Sequence, residues 1–275
     1  MAETWQRQRD EFAHDLTASL LASTAAHHID YLPGAAELGD FDPTSSTIAF
    51  APAGDVRPIP AQLIAPTFER YWREFVERRD GRRGWEDYTP YELRNVGTFV
   101  RLGWRDRAQA LLAFFMADRR PQAWNQWAEV VGREARKVRF VGDMPHAWIA
   151  SDFIRVTLDL FAYERSEDKS LVIAAGVPWQ WLAGKGIALT GLYTPYGRLG
   201  YTLRRTGDRV LLHIDGGLGV PPGGIVFPWP GGSSVPGATE IDGKPATWSD
   251  GALTISKLPA NVVIAVTKTP RRQGR

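Results

Sequence analysis

The spacing of the apolar residues changes once along this chain, close to residue 166, and that change limits the fold more than any other feature. Up to residue 165 the apolar positions recur three and four apart, the period of a helix with a buried face. After Ser166-Glu167-Asp168-Lys169 they fall into short runs separated by Gly-containing turns, the pattern of strands. The expectation is an α plus β chain with two domains, helical over 1–165 and strand-built over 166–270, ending in a basic tail over 271–275.

About six helices are expected. Trp5, Phe12, Leu16 and Leu20 share one face, with Arg7, Arg9, Asp10, Glu11 and Asp15 off it. Asp42-Pro43 is a cap and first-turn pair that opens a short helix near 44–50. Phe68, Tyr71, Trp72, Phe75 and Val76 keep i, i+3, i+4, i+7, i+8 spacing. Leu93, Val96, Val100 and Trp104 form the next stripe, and Leu111, Leu112, Phe114 and Phe115 another, opened by Asp106 and Arg107. Trp148 to Tyr163 is apolar nearly all round, which predicts a helix buried on most sides. Long connections at 27–42, 80–91 and 121–147 separate the helices, and connections of that length commonly carry function.

In the second half, Leu171 to Ala175 is a strand-like run, and Thr206-Gly207-Asp208 between two apolar runs predicts a hairpin. Asp242-Gly243 and Asp250-Gly251 mark two more tight turns, and Val262 to Val266 closes the domain. Strands and turns at this spacing predict an antiparallel β-sandwich.

Charge is nearly balanced, with 33 Lys and Arg against 31 Asp and Glu, and the basic runs are scattered; a nucleic-acid partner is not expected. The mixed run Arg133-Glu134-Ala135-Arg136-Lys137-Val138-Arg139 reads as a solvated loop, with contact to an anionic sugar as the alternative. No run approaches the roughly 18 apolar residues of a membrane helix. The polar start Met1–Arg7 has no apolar h-region, so no secretory signal is expected in this chain. The absence of cysteine excludes disulfides, thiolate metal sites and a Cys nucleophile. His27-His28-Ile29-Asp30 lacks a third ligand at defined spacing, and Gly216-Gly217 and Gly223-Gly224 precede no helix, so neither metal nor cofactor is expected. The 11 Trp residues fit both core packing and a sugar cleft, where a flat ring stacks on the C–H face of a pyranose.

Several segments resemble the C-terminal region of the six-hairpin glycosidases. They are Ile29-Asp30-Tyr31-Leu32-Pro33-Gly34 with Glu37-Leu38-Gly39-Asp40-Phe41-Asp42, Tyr88-Thr89-Pro90-Tyr91-Glu92-Leu93-Arg94, Trp124-Asn125-Gln126-Trp127-Ala128-Glu129 and Gly142-Asp143-Met144-Pro145-His146-Ala147-Trp148. In the strand region, Leu192-Tyr193-Thr194-Pro195-Tyr196-Gly197 and Val220-Pro221-Pro222-Gly223-Gly224 add to it. The arrangement is most similar to large bacterial proteins that also carry a coagulation-factor 5/8 (discoidin) domain, proteins that are often exported. The resemblance implies an (α/α)6 toroid packed on a structural sandwich. A ring of twelve helices at roughly 11 residues each, with loops, exceeds 300 residues. This chain would then supply about half of it, and an N-terminal toroid half, on the same parent protein or a separate chain, is the expected partner.

The resemblance further implies inverting glycoside hydrolysis on a carbohydrate substrate. The Ala128-Glu129 step matches the general-base position, which makes Glu129 the candidate base; the acid would lie in the missing half, with Glu92 and Asp40 as alternatives within this chain. Candidate sugar-binding residues come from the three long connections: Asp30, Tyr31, Glu37 and Asp42 from the first, Tyr91 from the second, and Trp124, Gln126, Trp127, Asp143, His146 and Trp148 from the third. Simpler roles compete at several of these: Asp42 as a helix cap, Asp30 as a turn residue and Glu92 as a first-turn acid. Other activities stay open: a non-catalytic binding or structural module, a sugar phosphorylase, or a polysaccharide lyase using Tyr91, Arg94 and His146.

Overall fold

The computed structural model describes residues 2–134, 142–232 and 234–267. Residues 135–139 of the mixed-charge run and the basic tail at 271–275 lie outside the described residues. The chain divides into two compact units, residues 1–156 and 157–275, a division that falls ahead of the change in sequence period.

Among the described residues the first unit holds six α-helices: α1 (Ala2–His27), α2 (Pro43–Ser46), α3 (Ala61–Arg79), α4 (Arg94–Arg101), α5 (Arg105–Ala117) and α6 (Ala147–Asp159), the last running into the second unit. Five of them match the apolar stripes, and α2 follows the Asp42-Pro43 pair. Its core is aromatic. Phe68, Tyr71 and Phe75 of α3 are buried, Tyr71 and Phe75 stack, and Tyr71 also meets Phe99 of α4 while Phe75 meets Phe114 of α5. Each such ring contributes about 2–3 kcal/mol on leaving water. α4 is the most enclosed helix, with Asn95 to Val100 all buried.

Two helices present apolar residues to solvent. Residues 2–12 of α1 are exposed throughout, including Trp5 and Phe12 at 67% and 74%. The rest of α1 is tied down by hydroxyls, Thr17 donating to the Pro58 carbonyl at 2.7 Å and Ser23 to that of Ala36 at 2.8 Å. The expectation that the helix starting at Trp148 is buried on most sides is corrected: Trp148, Ile154 and Leu158 of α6 are exposed. Apolar residues on every face of a helix do not by themselves supply neighbours to cover every face.

The second unit contains two sheets. Strand β3 (Ala162–Arg165) pairs with β4 (Ser170–Ile173), and beyond them come β5 (Ile187–Thr194), β6 (Gly197–Thr206), β7 (Arg209–Ile214), β8 (Ile225–Pro228), β9 (Val235–Ile241), β10 (Lys244–Pro245), β11 (Ala252–Ile255) and β12 (Ala260–Thr267). One sheet runs β10-β9-β12-β7-β6-β5 and the other β11-β8-β4-β3. Pairing is antiparallel except between β4 and β8, which run parallel. Alternate residues of both sheets share one core, among them Leu171, Leu199, Tyr201, Leu212, Phe227 and Ile264. The Gly207-Asp208 turn joins β6 to β7 as expected. At Asp242-Gly243 and Asp250-Gly251 both residues of each pair take positive φ, the geometry a tight primed turn requires. Trp229 and Trp248 pack against this core and each donates its indole N–H internally, to the Ser234 carbonyl and to the Thr239 hydroxyl.

Candidate functional site

The second and third long connections are joined strand to strand. β1 (Asp87–Tyr88) pairs with β2 (Val131–Gly132), with Asp87 opposite Gly132 and Tyr88 opposite Val131. The pairing continues past the strands. The Thr89 hydroxyl donates to the Glu129 carbonyl at 2.7 Å, and on its far side the Glu129 amide donates to the Asp143 carbonyl at 3.1 Å. The His146 amide then donates to the Trp127 carbonyl at 3.0 Å. The Glu129 backbone is therefore held from both sides, by Thr89 and by Asp143. Gly142 sits against its side chain, where a Cβ would collide with the Glu129 Cβ and carboxylate.

Thr89 also accepts the Tyr91 amide and starts the tight turn Pro90–Leu93, with Pro90 in its first position. That turn sends Tyr91 and Glu92 to different partners. The Tyr91 hydroxyl lies 2.7 Å from Nε2 of His146, and the two rings meet edge to face. The Arg94 guanidinium covers the Tyr91 ring at 4.4 Å and donates through Nε to Asp152 at 2.7 Å. Asp152 is buried and also accepts from Arg155. Asp143 reaches toward Nδ1 of His146, at 3.8 Å, and Trp148 stands 6.1 Å from the His146 ring with its own face exposed. Partial burial raises the Tyr91 pKa; Arg94 opposes this, and the carboxylates of Glu129, Asp152 and Asp143 add to it. Tyr91 thus keeps its proton at neutral pH, and its hydroxyl shares a hydrogen bond with Nε2 of His146.

Glu92 is placed elsewhere. Its carboxylate accepts from both terminal nitrogens of Arg78, at 2.8 and 2.7 Å, and from the Tyr71 hydroxyl at 2.8 Å. Burial, with Glu92 beside it, holds the Tyr71 phenol well above its ordinary pKa. A carboxylate clamped by a buried guanidinium and a phenol is a structural anchor in this geometry. Asp40 accepts the Ala35 amide at 2.8 Å and shapes the 34–40 loop. Asp42 caps α2, accepting the Ser45 amide and hydroxyl at 3.0 and 2.6 Å. Tyr31 donates to the Gly39 carbonyl at 2.9 Å and packs edge-on against Phe41, with Arg70 over both rings. Asp30 and Glu37 are exposed on that loop. In the third connection, Trp127 is buried and its indole N–H donates to the Phe115 carbonyl at 2.9 Å; its ring belongs to the core. Trp124 is exposed and Gln126 half-buried.

The structure thus gathers Tyr91, Glu129, Asp143, His146 and Trp148 into one neighbourhood and leaves Glu92 outside it. Asp152 was missed from the sequence, although a charged residue within so apolar a helix, three positions before Arg155, was its signal. His27, considered for a metal, contacts the Ala36 carbonyl at 3.1 Å through Nε2. Among the described residues no three His, Asp or Glu side chains are arranged to hold a metal ion, and no helix is long and apolar enough to cross a membrane. Searches against family models and against curated proteins found no match for this chain.

Proposed function

We propose that this chain is the C-terminal part of a carbohydrate-active protein of the six-hairpin glycosidase type, and that it takes part in inverting hydrolysis of a glycosidic bond. In this reading the six helices form part of an α/α toroid and the two sheets form the sandwich that follows it. The observation that carries the reading is the fixing of Glu129 between Thr89 and Asp143, beside Tyr91 and His146. A carboxylate, a protonated phenol, an imidazole and an exposed indole supply a base, hydroxyl-binding groups and a stacking surface. Glu129 takes a proton from water as the water oxygen bonds to the anomeric carbon. The glycosidic C–O bond breaks, and a carboxylic acid on the opposite face gives its proton to the leaving oxygen.

That acid is assigned to an N-terminal half of the toroid. The uncovered Trp5 and Phe12 of α1, and Ile154 and Leu158 of α6, support such a partner, because helices with apolar faces need neighbours. Turnover of a panel of aryl glycosides by the full protein is the test. Glu129→Gln should abolish hydrolysis while sugar affinity stays within about twofold. Undiminished turnover removes Glu129 from the role.

A lyase is the second reading, favoured by the meeting of Tyr91, Arg94 and His146. It needs Tyr91 to give up its proton, which the burial and negative surroundings of that phenol oppose. An unsaturated sugar product from a polyuronate would decide for it.

A further inference from the structure

Asp152 is a buried carboxylate to which the functional reading above gives no role. It lies in the second turn of α6 at 4% exposure and accepts from two guanidiniums, from Nε of Arg94 at 2.7 Å and from Arg155 on the same helix. Arg155 secures the carboxylate on α6, whereas Arg94 comes from α4, 58 positions away. A buried ion pair contributes little net stability against an apolar pair, because the cost of desolvating the charges offsets their attraction. What this pair defines is direction. A hydrogen bond through Nε runs in the guanidinium plane, so Asp152 fixes how that plane lies, and the guanidinium covers the Tyr91 ring at 4.4 Å.

The same two segments meet at a second point. His146 opens α6, its carbonyl accepting the Ala150 amide at 3.2 Å, and its Nε2 lies 2.7 Å from the Tyr91 hydroxyl. Tyr91 and Arg94 are three residues apart, where the Pro90–Leu93 turn runs into α4. The α6 segment therefore holds the tyrosine at both ends, its hydroxyl through His146 and its ring through Asp152 and Arg94. The hydroxyl stands at the tip of a rigid ring, where a small rotation of the side chain carries it out of hydrogen-bonding range. We propose that Asp152 is a positioning residue, which acts through Arg94 to set the Tyr91 ring and so holds its hydroxyl on His146. The placement follows from these contacts alone; that it serves to present a phenol to a sugar rests on the carbohydrate reading above.

The test is nitrogen NMR of the full chain labelled with nitrogen-15 histidine. The chain has five His residues, and His146→Gln identifies the signals of residue 146. Tyr91→Phe should displace the Nε2 signal by deleting its hydroxyl partner, and that displacement is the scale. Asp152→Asn should produce at least about half of it and should add nothing in the Tyr91→Phe background, since an effect carried through Tyr91 then has no route. Arg94→Lys keeps a cation beside the buried carboxylate but removes the plane over the ring, so it should move the signal the same way. Where Asp152→Asn disturbs the indole proton of Trp127, which reports packing through its bond to the Phe115 carbonyl, Arg94→Lys decides. No displacement by Tyr91→Phe, a His146 signal unmoved by both Asp152→Asn and Arg94→Lys, or an Asp152→Asn shift as large in the Tyr91→Phe background would each overturn the proposal. The last would show that Asp152 reaches His146 without Tyr91. Undiminished turnover by Glu129→Gln would remove the hydrolysis reading and leave these shifts as they are.

Discussion

The Tyr91 hydroxyl and Nε2 of His146 lie 2.7 Å apart although 55 positions separate them in the chain. Tyr91 is held from above by Arg94, and the His146 amide is fixed to Trp127. Tyr91→Phe keeps the ring under Arg94 and deletes only the hydroxyl. The expected stability loss is about 1 kcal/mol, the net worth of one hydrogen bond. If the phenol donates to the reacting sugar, kcat falls about 10²-fold. Chemical denaturation and aryl-glycoside kinetics on the same preparation separate the two effects.

The contact between Gly142 and Glu129 yields a second expectation. Gly142→Ala places a methyl group against the Glu129 Cβ and carboxylate, so the side chain must turn away. Turnover should fall about 10²-fold, since small displacements of a reacting group have costs of that order. The second unit should melt as before. Unchanged kinetics would mean that the position of the Glu129 carboxylate does not matter for turnover.

The Arg78–Glu92 pair is mostly buried, with side-chain exposures of 15% and 10%. Removing one partner strands the other charge. Glu92→Gln and Arg78→Met should each cost about 3–5 kcal/mol, and the double variant should cost less than the sum. Urea denaturation of the four proteins gives the coupling. Additive losses would show that the pair does not act as a unit.

These three expectations draw on features that differ in how far the sequence revealed them. The helices are legible because Phe68 to Val76, Leu93 to Trp104 and the other stripes repeat at helical spacing. The hairpin and Asp-Gly turns are legible because their residues tolerate positive φ. Strand β3 was hidden because Ala162-Tyr163 extends the apolar pattern of α6 without a break. The pairing of β1 with β2, which positions Glu129, spans two residues on each side and has no periodicity to read. Glu92 and Trp127 looked like site residues because composition reports that an acid or an indole is present. Where it points depends on Arg78, Tyr71 and Phe115, which are distant in sequence.

The β3–β4 turn gives a prediction in pH. Arg165 donates to Asp168 at 3.0 and 2.6 Å, and with the Ser170 contacts this lowers the Asp168 pKa to about 2. An unfolded Asp titrates near about 3.9, so the folded state binds its proton less readily. The stability this contributes is fully present above pH ~4 and is lost as pH falls through about 2. Because Asp168 is 45% exposed, the size is under about 1 kcal/mol. Asp168→Asn should lower stability at pH 6 by that amount, with the difference shrinking steadily as pH falls from about 4 through about 2. A difference that does not shrink over that range would place its origin in packing.

The exposed N-terminal turns of α1 lead to the last prediction. A helix of eleven uncovered residues carrying Trp5 and Phe12 is marginal alone in water, since short helices depend on packing for their stability. Each large side chain that leaves water contributes about 1.5–3 kcal/mol, which favours association when no partner is present. The isolated chain should therefore show concentration-dependent association in light scattering. Trp5→Ser with Phe12→Ser should reduce that association without lowering the melting temperature, because neither side chain packs within the chain. Hydrogen exchange should find residues 2–12 weakly protected at low concentration and better protected where the chain associates. A chain that stays monomeric at every concentration, with residues 2–12 already protected, would show that α1 needs no partner and would remove the support that its apolar face lends to the proposed N-terminal half.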